Sequence, residues 1–596
     1  MSTQEKTFRA GGSFLVEDHD LIDVVTPEDL TEEDLAMADS VTEFIDGEVM
    51  PKLPEMEKGD HDVTVACLKK AGELGFLAAE IPEKYDGLEL SKVTTALIAE
   101  RLAKTGGFIV TYGSHIGIGT MPITYFGNEE QKQRYLPRLA TGEIIAAYAL
   151  TERSSGSDAL NAKTKAVLSE DGKHYILNGE KMWITNAGFA DLFIVFAKID
   201  GEHFTAFIVE KDFPGVSVGA EEKKMGIKSS STRAVVLEDA MIPVENLLGE
   251  RGKGHKIAFG ILNIGRFKLG AGVIGGAKEG IKLAAEYAKE RKAFGKTISE
   301  FGIIKGKLGE MAIQTFAGES MVYRTAGLID AILEDVSWDN DNAGEVTLKG
   351  VEEYAIECAM AKVFGSEVLD FVADEALQIH GGFGYSAEYE VERMYRDSRI
   401  NRIFEGTNEI NRMLIVDMLI KRAMTGKIPL MQKVQSLMGE LMGMPSFDMD
   451  EEMELFANER KMVTNAKKLC MFVAGAGFQK FLDKLAQQQE LLAMAADMLI
   501  LAFVMESMML RTLKVVSVKG EAQADLMIKA TKVFLHDAME QLATLAKTGL
   551  GVIEEGDTLL TMMAAVRRLT KHDAVNVVAF RRDIADAVLA KGDYIF

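Results

Sequence analysis

The feature that most restricts the fold of this chain is a double change in the period of its apolar residues. From Pro27 to residue 147 they recur at three- and four-residue spacing, as in Leu35, Ala38, Val41 and Phe44, which predicts amphipathic helices. Thr31, followed by Glu32, Glu33 and Asp34, predicts a capped helix start with acids in its first turn. From Tyr148 to about residue 254 the period moves towards two. Apolar runs at 192–197, 205–209 and 234–237, separated by Asp-Gly, Pro-Gly and polar clusters, predict a small sheet or barrel. From His255 to Met424 long helical patterns return, broken at Gly381–Gly384. The rest, 425–596, is again helical, and no proline follows Pro445. The expected order is an extended segment 1–26, a helical domain 27–147, a β domain 148–254, a helical bundle 255–424 and a further helical domain 425–596. At 596 residues the chain is too long for one core.

A formal charge of −24 disfavours a nucleic-acid-binding face. Three widely spaced cysteines, Cys67, Cys358 and Cys470, read as buried thiols in a reducing compartment. The polar first 20 residues contain no apolar core and several acids, so no cleavable targeting signal is expected and a cytoplasmic, bacterial-type location follows. The most membrane-like window is 491–510. Asp497 and Glu506 interrupt it, each costing about 2.5–3.5 kcal/mol at mid-bilayer, so a buried bundle helix is the better reading. The nine histidines show no metal-ligand spacing, and no metal is expected. Gly117-Ile-Gly119 is not a dinucleotide fingerprint, because it follows a helical pattern and lacks the third glycine.

Three segments carry candidate chemistry, each with a plainer alternative. YALTERSSGSD (148–158) can offer backbone N–H groups to a phosphate or a flavin edge, or be a polar loop. Trp183, beside Ile184 and Thr185, can wall a flat cofactor or fill a core. Glu405, followed by Gly406 and Thr407, is placed to project into a cleft as a base. Otherwise it is a surface acid paired with Arg396, Arg399 or Arg402.

Together these segments resemble the acyl-CoA dehydrogenase family. TERSSGSD, LNGEKMWITNAG, MGIKSSSTRAVVLEDAMIP, RKAFGKTISEFG, QIHGGFGY and IFEGTNEINR stand in the family's order and spacing over residues 30–424. EKKMGIKSS, NIGRF and KVFGSE are similar to the very-long-chain branch, which also carries a helical extension. The resemblance implies a mainly α fold: an N-terminal α domain, a central β-barrel domain, a C-terminal four-helix bundle and an additional helical domain. It implies FAD as cofactor, a fatty acyl-CoA as substrate, and electrons leaving to an electron-transfer flavoprotein in β-oxidation. By motif, Glu405 is the base that takes the α-proton. Its backbone N–H and a flavin ribityl hydroxyl would hold the enolate oxygen. Tyr148, Leu150, Thr151, Gly156, Ser157, Trp183, Ile184 and Thr185 would line the flavin. Gly406, Thr407 and Glu409 would make a further FAD contact, and Gln378, Gly381 and Gly382 an adenine and pyrophosphate contact. Arg291, Phe301 and Gly302 would reach the FAD of a neighbouring subunit, implying a homodimer or a dimer of dimers. Ser157, Asn263 and Arg266 would meet the substrate.

One position departs from the family and one stands where its members vary between histidine and apolar residues. Arg153 stands where proline is usual, and could meet a CoA phosphate. His380 reads as a packing residue. Gly117 and Gly119 fall on the segment closing the acyl tunnel, where they either admit a long chain or let helices approach. LMGELMGM (437–444) reads as a core or interface seam rather than a membrane-facing patch, and peripheral membrane contact stays open. A scaffold protein on the same fold and an acyl-CoA oxidase are the competing functions.

Overall fold

The computed structural model describes residues 9–442 and 455–596. Helix α1 (Glu32–Phe44) starts where the sequence expects it. The Asp34 N–H donates to the Thr31 hydroxyl at 3.1 Å, and the Thr31 N–H donates to the Asp34 carboxylate at 3.0 Å, a reciprocal cap. Two more segments of this helical region matter for the site: α2 (Lys92–Leu102) and α3 (Gly107–Gly113), which runs on into a π-helical turn at Ser114–Gly119.

The chain then enters an eight-stranded sheet: β1 (Ala146–Ala149), β2 (Lys165–Leu168), β3 (His174–Thr185), β4 (Leu192–Ile199), β5 (His203–Glu210), β6 (Val216–Val218), β7 (Thr232–Pro243) and β8 (Leu247–Leu248). The strand order is β6-β7-β3-β2-β4-β5-β8, with β1 also on β4. Strands β1 and β2 run parallel to β4 and the remaining pairs are antiparallel. The long β3–β7 ladder slips register between Lys181 and Ile184. A bulge of this kind re-aims the side chain inside it, here Trp183.

Four helices form the bundle that follows: α4 (Gly254–Glu290), α5 (Gly302–Leu333), α6 (Ala355–His380) and α7 (Asn408–Met424). Helices α4 and α6 touch backbone to backbone: a methyl group on Gly270 would lie 3.2 Å from the Ala361 carbonyl oxygen. The additional domain supplies α8 (Ala457–Phe481), α9 (Gln489–Lys519), α10 (Asp525–Ile553) and α11 (Val577–Lys591). It docks on α5 through α9 and α11.

That docking is both apolar and ionic. Arg511 on α9 donates to Glu319 on α5 at 2.6 Å and to Glu28 at 2.8 Å. Glu319 also pairs with Lys278 of α4 and accepts from the Tyr594 hydroxyl at 2.8 Å. The two cations beside it hold the Glu319 carboxyl down at about 2 despite burial. Two described helices, α4 and α9, are long and apolar enough to cross a membrane. The 491–510 window lies in α9, whose acids are paired inside the protein: Glu506 accepts from Arg324 at 2.7 Å and Asp497 from Arg412 at 2.7 Å. Of the methionine-rich stretch, Leu437 and Leu441 are buried, and residues 443–444 lie outside the described residues.

Candidate active site

Glu405 sits in the short link between the turn Arg399–Arg402 and α7, whose first turn is capped by the Thr407 hydroxyl accepting from the Ile410 N–H at 3.3 Å. Its φ is +57°, a left-handed conformation that costs a residue bearing a Cβ about 1–3 kcal/mol, and Gly406 follows at +79°. The link holds this shape because its carbonyls are clamped. The Asn411 amide donates to the carbonyls of Glu405, Gly406 and Thr407 at 3.3, 2.9 and 3.1 Å. Lys362 on α6 donates to the Gly406 carbonyl at 2.8 Å and to Asn408 at 2.6 Å. Arg266 on α4 donates to the Glu405 carbonyl at 3.3 Å and to Asn263 at 2.8 Å.

The carboxylate points into the protein. Its Oε2 is buried with no hydrogen-bond partner, and Gly265 makes room for it: a methyl there would lie 2.7 Å from Oε2. Burial pushes the Glu405 carboxyl up to about 7, against the pull of Arg266 and Lys362. The alternative of a surface ion pair does not hold. Arg396 pairs with Glu392 at 2.7 Å and Arg402 with Asp370 at 2.6 Å, and among the described residues no arginine side chain binds the Glu405 carboxylate.

Glu405 forms one wall of a cavity of about 220 Å³. Its other walls come from α2, from α3 with its π-helical turn, and from a stripe of α4 running from Gly265 through Gly272 to Gly276. Thr185, the last residue of β3, lines the same cavity. Trp183, two residues earlier, has φ +61° and is 52% exposed, so the bulge turns its indole out of the sheet core.

The other expected flavin residues divide in two. Tyr148 and Leu150 are buried at β1, Ile184 is packed into the sheet core, and the Thr151 carbonyl accepts from the Met182 N–H at 2.8 Å. Ile184 therefore has only its backbone to offer. Gly156 and Ser157 are exposed beyond them, as is Arg153. Glu409 is exposed at the start of α7. Arg291, Phe301, Gln378, Gly381 and Gly382 are elsewhere, around the far end of α4. Arg291 lies over Phe383 at 5.4 Å and Phe301 against Phe294 at 6.1 Å. From Gly265 to the end of α4 is about 38 Å. His380 stacks on Tyr287 at 4.1 Å and its Nδ1 lies 2.8 Å from the Ala376 carbonyl, as a packing residue does.

Comparison with known proteins accounts for this layout. Models of the N-terminal, middle and C-terminal domains of acyl-CoA dehydrogenases match residues 31–143, 147–240 and 252–420, and a further acyl-CoA dehydrogenase C-terminal domain model matches 465–568. A probable acyl-CoA dehydrogenase of Bacillus subtilis (strain 168) is 48% identical over 596 residues, the full length of both chains. The chain belongs to the acyl-CoA dehydrogenase family. The crystal structure of an acyl-CoA dehydrogenase complexed with FAD from Bacillus anthracis is 51% identical and superposes with a TM-score of 0.96, covering 99% of this chain and 100% of that one. The very long-chain specific acyl-CoA dehydrogenase of Rattus norvegicus is 42% identical over 374 residues, 61% of this chain and 54% of the rat protein.

Within this family frame the structure adds residues that the sequence reading passed over, and splits one pair. Gly117 lines the cavity, whereas Gly119 packs on β1: a methyl there would lie 2.8 Å from the Ala146 side chain. Gly113, not singled out beforehand, lines the cavity and has nothing within 4 Å of an added methyl. Gly265, Lys268, Lys362 and Asn411 were also missed. The i, i+4, i+7, i+11 spacing of Gly265, Leu269, Gly272 and Gly276 is the signal that could have exposed the α4 stripe.

Proposed function

We propose that this chain dehydrogenates long-chain fatty acyl-CoA to the trans-2-enoyl-CoA, with FAD as cofactor, in β-oxidation. The observation that carries the reading is the buried, unpartnered Glu405 carboxylate facing an apolar slot that it shares with Thr185. The residues present fit a flavin. An indole turned out of the sheet, a hydroxyl at the cavity wall and an unencumbered Gly156 offer a flat face, a donor and a backbone edge. Trp183, Thr185 and 148–157 of one chain would hold it, with Gly406, Thr407 and Glu409 adjoining. FAD bound there supplies the acceptor for the β-hydride.

The protein's own part is proton transfer and positioning. An α-proton of a thioester is a weak acid, so its base must be strong without being swamped by water. Burial raises the Glu405 carboxyl to about 7, and the clamp from Lys362, Arg266 and Asn411 fixes where it points. No hydrogen bond among the described residues takes up the Glu405 N–H, which leaves it free to donate to the thioester carbonyl oxygen as negative charge gathers there. Asn263 and Arg266, two residues before and one after Gly265 on α4, are buried and hydrogen-bonded to each other beside the Glu405 link, so their part is to brace the base.

Chain length follows from the α4 stripe. Gly265 to Gly276 spans about 16 Å, room for about a dozen carbons of an extended chain at about 1.3 Å each. The cluster of Arg291, Phe301, Gln378, Gly381 and Gly382 lies too far along α4 to meet the same flavin, which supports a homodimer whose partner supplies it. Electron-transfer flavoprotein is the acceptor that fits this chemistry. Anaerobic addition of palmitoyl-CoA to the holoenzyme should bleach the flavin within one turnover and release trans-2-hexadecenoyl-CoA. An oxidised spectrum unchanged by any acyl-CoA from short to very long chains refutes the proposal.

A further inference from the structure

Behind the cavity that Glu405 faces lies a second hollow, of about 420 Å³, where three parts of the chain meet. Helix α2 and the turn Ala103–Thr105 close it on one side, α4 and α5 on another, and the segment after α11, through Asp593, Tyr594 and Phe596, on a third. Lys104 lines both hollows, and the neighbours Gly275 and Gly276 line one each, so little more than that turn and the width of α4 divides them. The volume is in the range of small-molecule sites, about 300–1,000 Å³, and is too roomy for a bare ion.

The lining is charged, and most of that charge is already matched. Lys278 is held between Glu100 and Glu319, Lys104 pairs with Asp46, and Lys282 stands 3.7 Å from Glu279. Lys591 donates to the Tyr594 carbonyl at 2.7 Å. Arg101, near the end of α2, is the exception. It is half-buried, and among the described residues no carboxylate, carbonyl or aromatic ring takes up its guanidinium. Its Nε is sealed from solvent without a partner, whereas its two terminal nitrogens, unbonded as well, are not sealed. The group lies close to Tyr323 on the same lining: burial pushes the Tyr323 hydroxyl up, Glu100 and Glu319 add to the rise, and Arg101 pulls against it.

A guanidinium drawn partly out of water with no counter-charge is costly, and its planar fork matches the two oxygens of a carboxylate or phosphate. The acids on the lining leave room for such a guest. Glu100 and Glu319 are bound to Lys278, and burial pushes the Glu279 carboxyl up, which lessens its repulsion of an anion. Asp593 accepts the Tyr594 N–H at 2.7 Å through one oxygen and has the other for a donor. We infer that this hollow is a binding site for a small organic oxyanion, and that Arg101 is the residue that grips its charged group. The rest of the guest carries hydroxyl or amino groups, which suit the polar lining, and once bound it braces the back of the wall shared with the Glu405 cavity.

The test is isothermal titration calorimetry of the flavin-loaded protein at fixed ionic strength, with pyrophosphate, citrate, AMP and ATP as probes. At least one should bind saturably, once per chain, with a Kd of about 1 mM or below. Binding confined to the phosphate probes identifies a phosphate guest, and binding of citrate alone a carboxylate. Arg101→Met should weaken the bound probe by about 10-fold or more, the worth of one charge-assisted hydrogen bond. Arg101→Lys keeps the charge and loses the fork, so it too should bind more weakly than the wild type. The absence of saturable binding by all four probes overturns the inference without any variant. Wild-type affinity in an R101M protein that retains its flavin overturns it as well, because the probe is then held elsewhere, as AMP or ATP would be at an adenine pocket. Should R101M fail to fold, R101K decides in its place, and an unchanged affinity there is equally fatal.

Discussion

Replacing Glu405 by Gln should make the protein more stable as the pH rises, while removing its activity. The folded-state carboxyl titrates at about 7 and an exposed one at 4.5, so the native state holds the proton more tightly than the unfolded chain does. Below pH 4.5 both states are protonated and the residue costs nothing. Between 4.5 and 7 the unfolded state ionises first and the native state loses ground. Above pH 7 the penalty is constant at about 3 kcal/mol, from about 1.4 kcal/mol per pH unit over that interval. Glutamine does not ionise, so the variant escapes the penalty. Unfolding followed by temperature or urea at pH 5, 6, 7 and 8 should show E405Q pulling away from the wild type by about 2 °C across the series. The same ionisation makes wild-type kcat/KM climb with pH through about 7, because only the carboxylate can accept a proton. E405Q should retain its flavin and lose about 1,000-fold or more in kcat. A stability gap that stays level from pH 5 to 8 refutes the account of a buried, unpaired base, and a variant with substantial turnover refutes the base itself.

Two further outcomes follow from the packing. Gly113→Leu places a side chain in open cavity without a backbone penalty, since leucine is the better helix former by about 1 kcal/mol. kcat/KM for palmitoyl-CoA should fall at least about 10-fold relative to hexanoyl-CoA, and an unchanged chain-length profile counts against Gly113 lining the tunnel. Arg511→Met leaves Glu319 and Glu28 without their guanidinium and should cost about 3–5 kcal/mol at neutral pH. The Glu319 carboxyl sits near 2, below its usual 4.5, so its contribution is present above pH 4.5 and lost as pH falls towards 2. The deficit of R511M should therefore narrow in acid, and a deficit independent of pH argues that it is packing and not charge that is lost.

What could be read before folding was what depends on local pattern. The period change located the sheet, the Thr31 cap located α1, and the interrupted apolar window at 491–510 declared itself a buried helix through its acids. The motif order gave the family, and with it the expectation that Glu405 is the base. What escaped depends on which residues meet across the fold. Lys362 and Asn411 shape the Glu405 loop only because α6 and α7 bring them to its carbonyls, and nothing in either local sequence announces that. Gly117 and Gly119 are alike in sequence, but a two-residue step within a helical turn rotates one towards the cavity and the other towards β1. The left-handed backbone at Trp183 is equally silent, because it comes from a register slip between β3 and β7 and not from a glycine.

Helix α4 presents Gly265 to the Glu405 carboxylate near one end and leads directly into Arg291 at the other. On the proposed dimer, a single rigid rod would measure the interval between the chemistry of one flavin and the surface offered to a second. Inserting or deleting a residue midway would swing Arg291 by about 100° about the axis while shifting it only about 1.5 Å. The same turn would take Ile281, Ala284 and Ala288 off the buried face of the helix, so the length of α4 is fixed by the core and, on the proposed dimer, by the assembly as well.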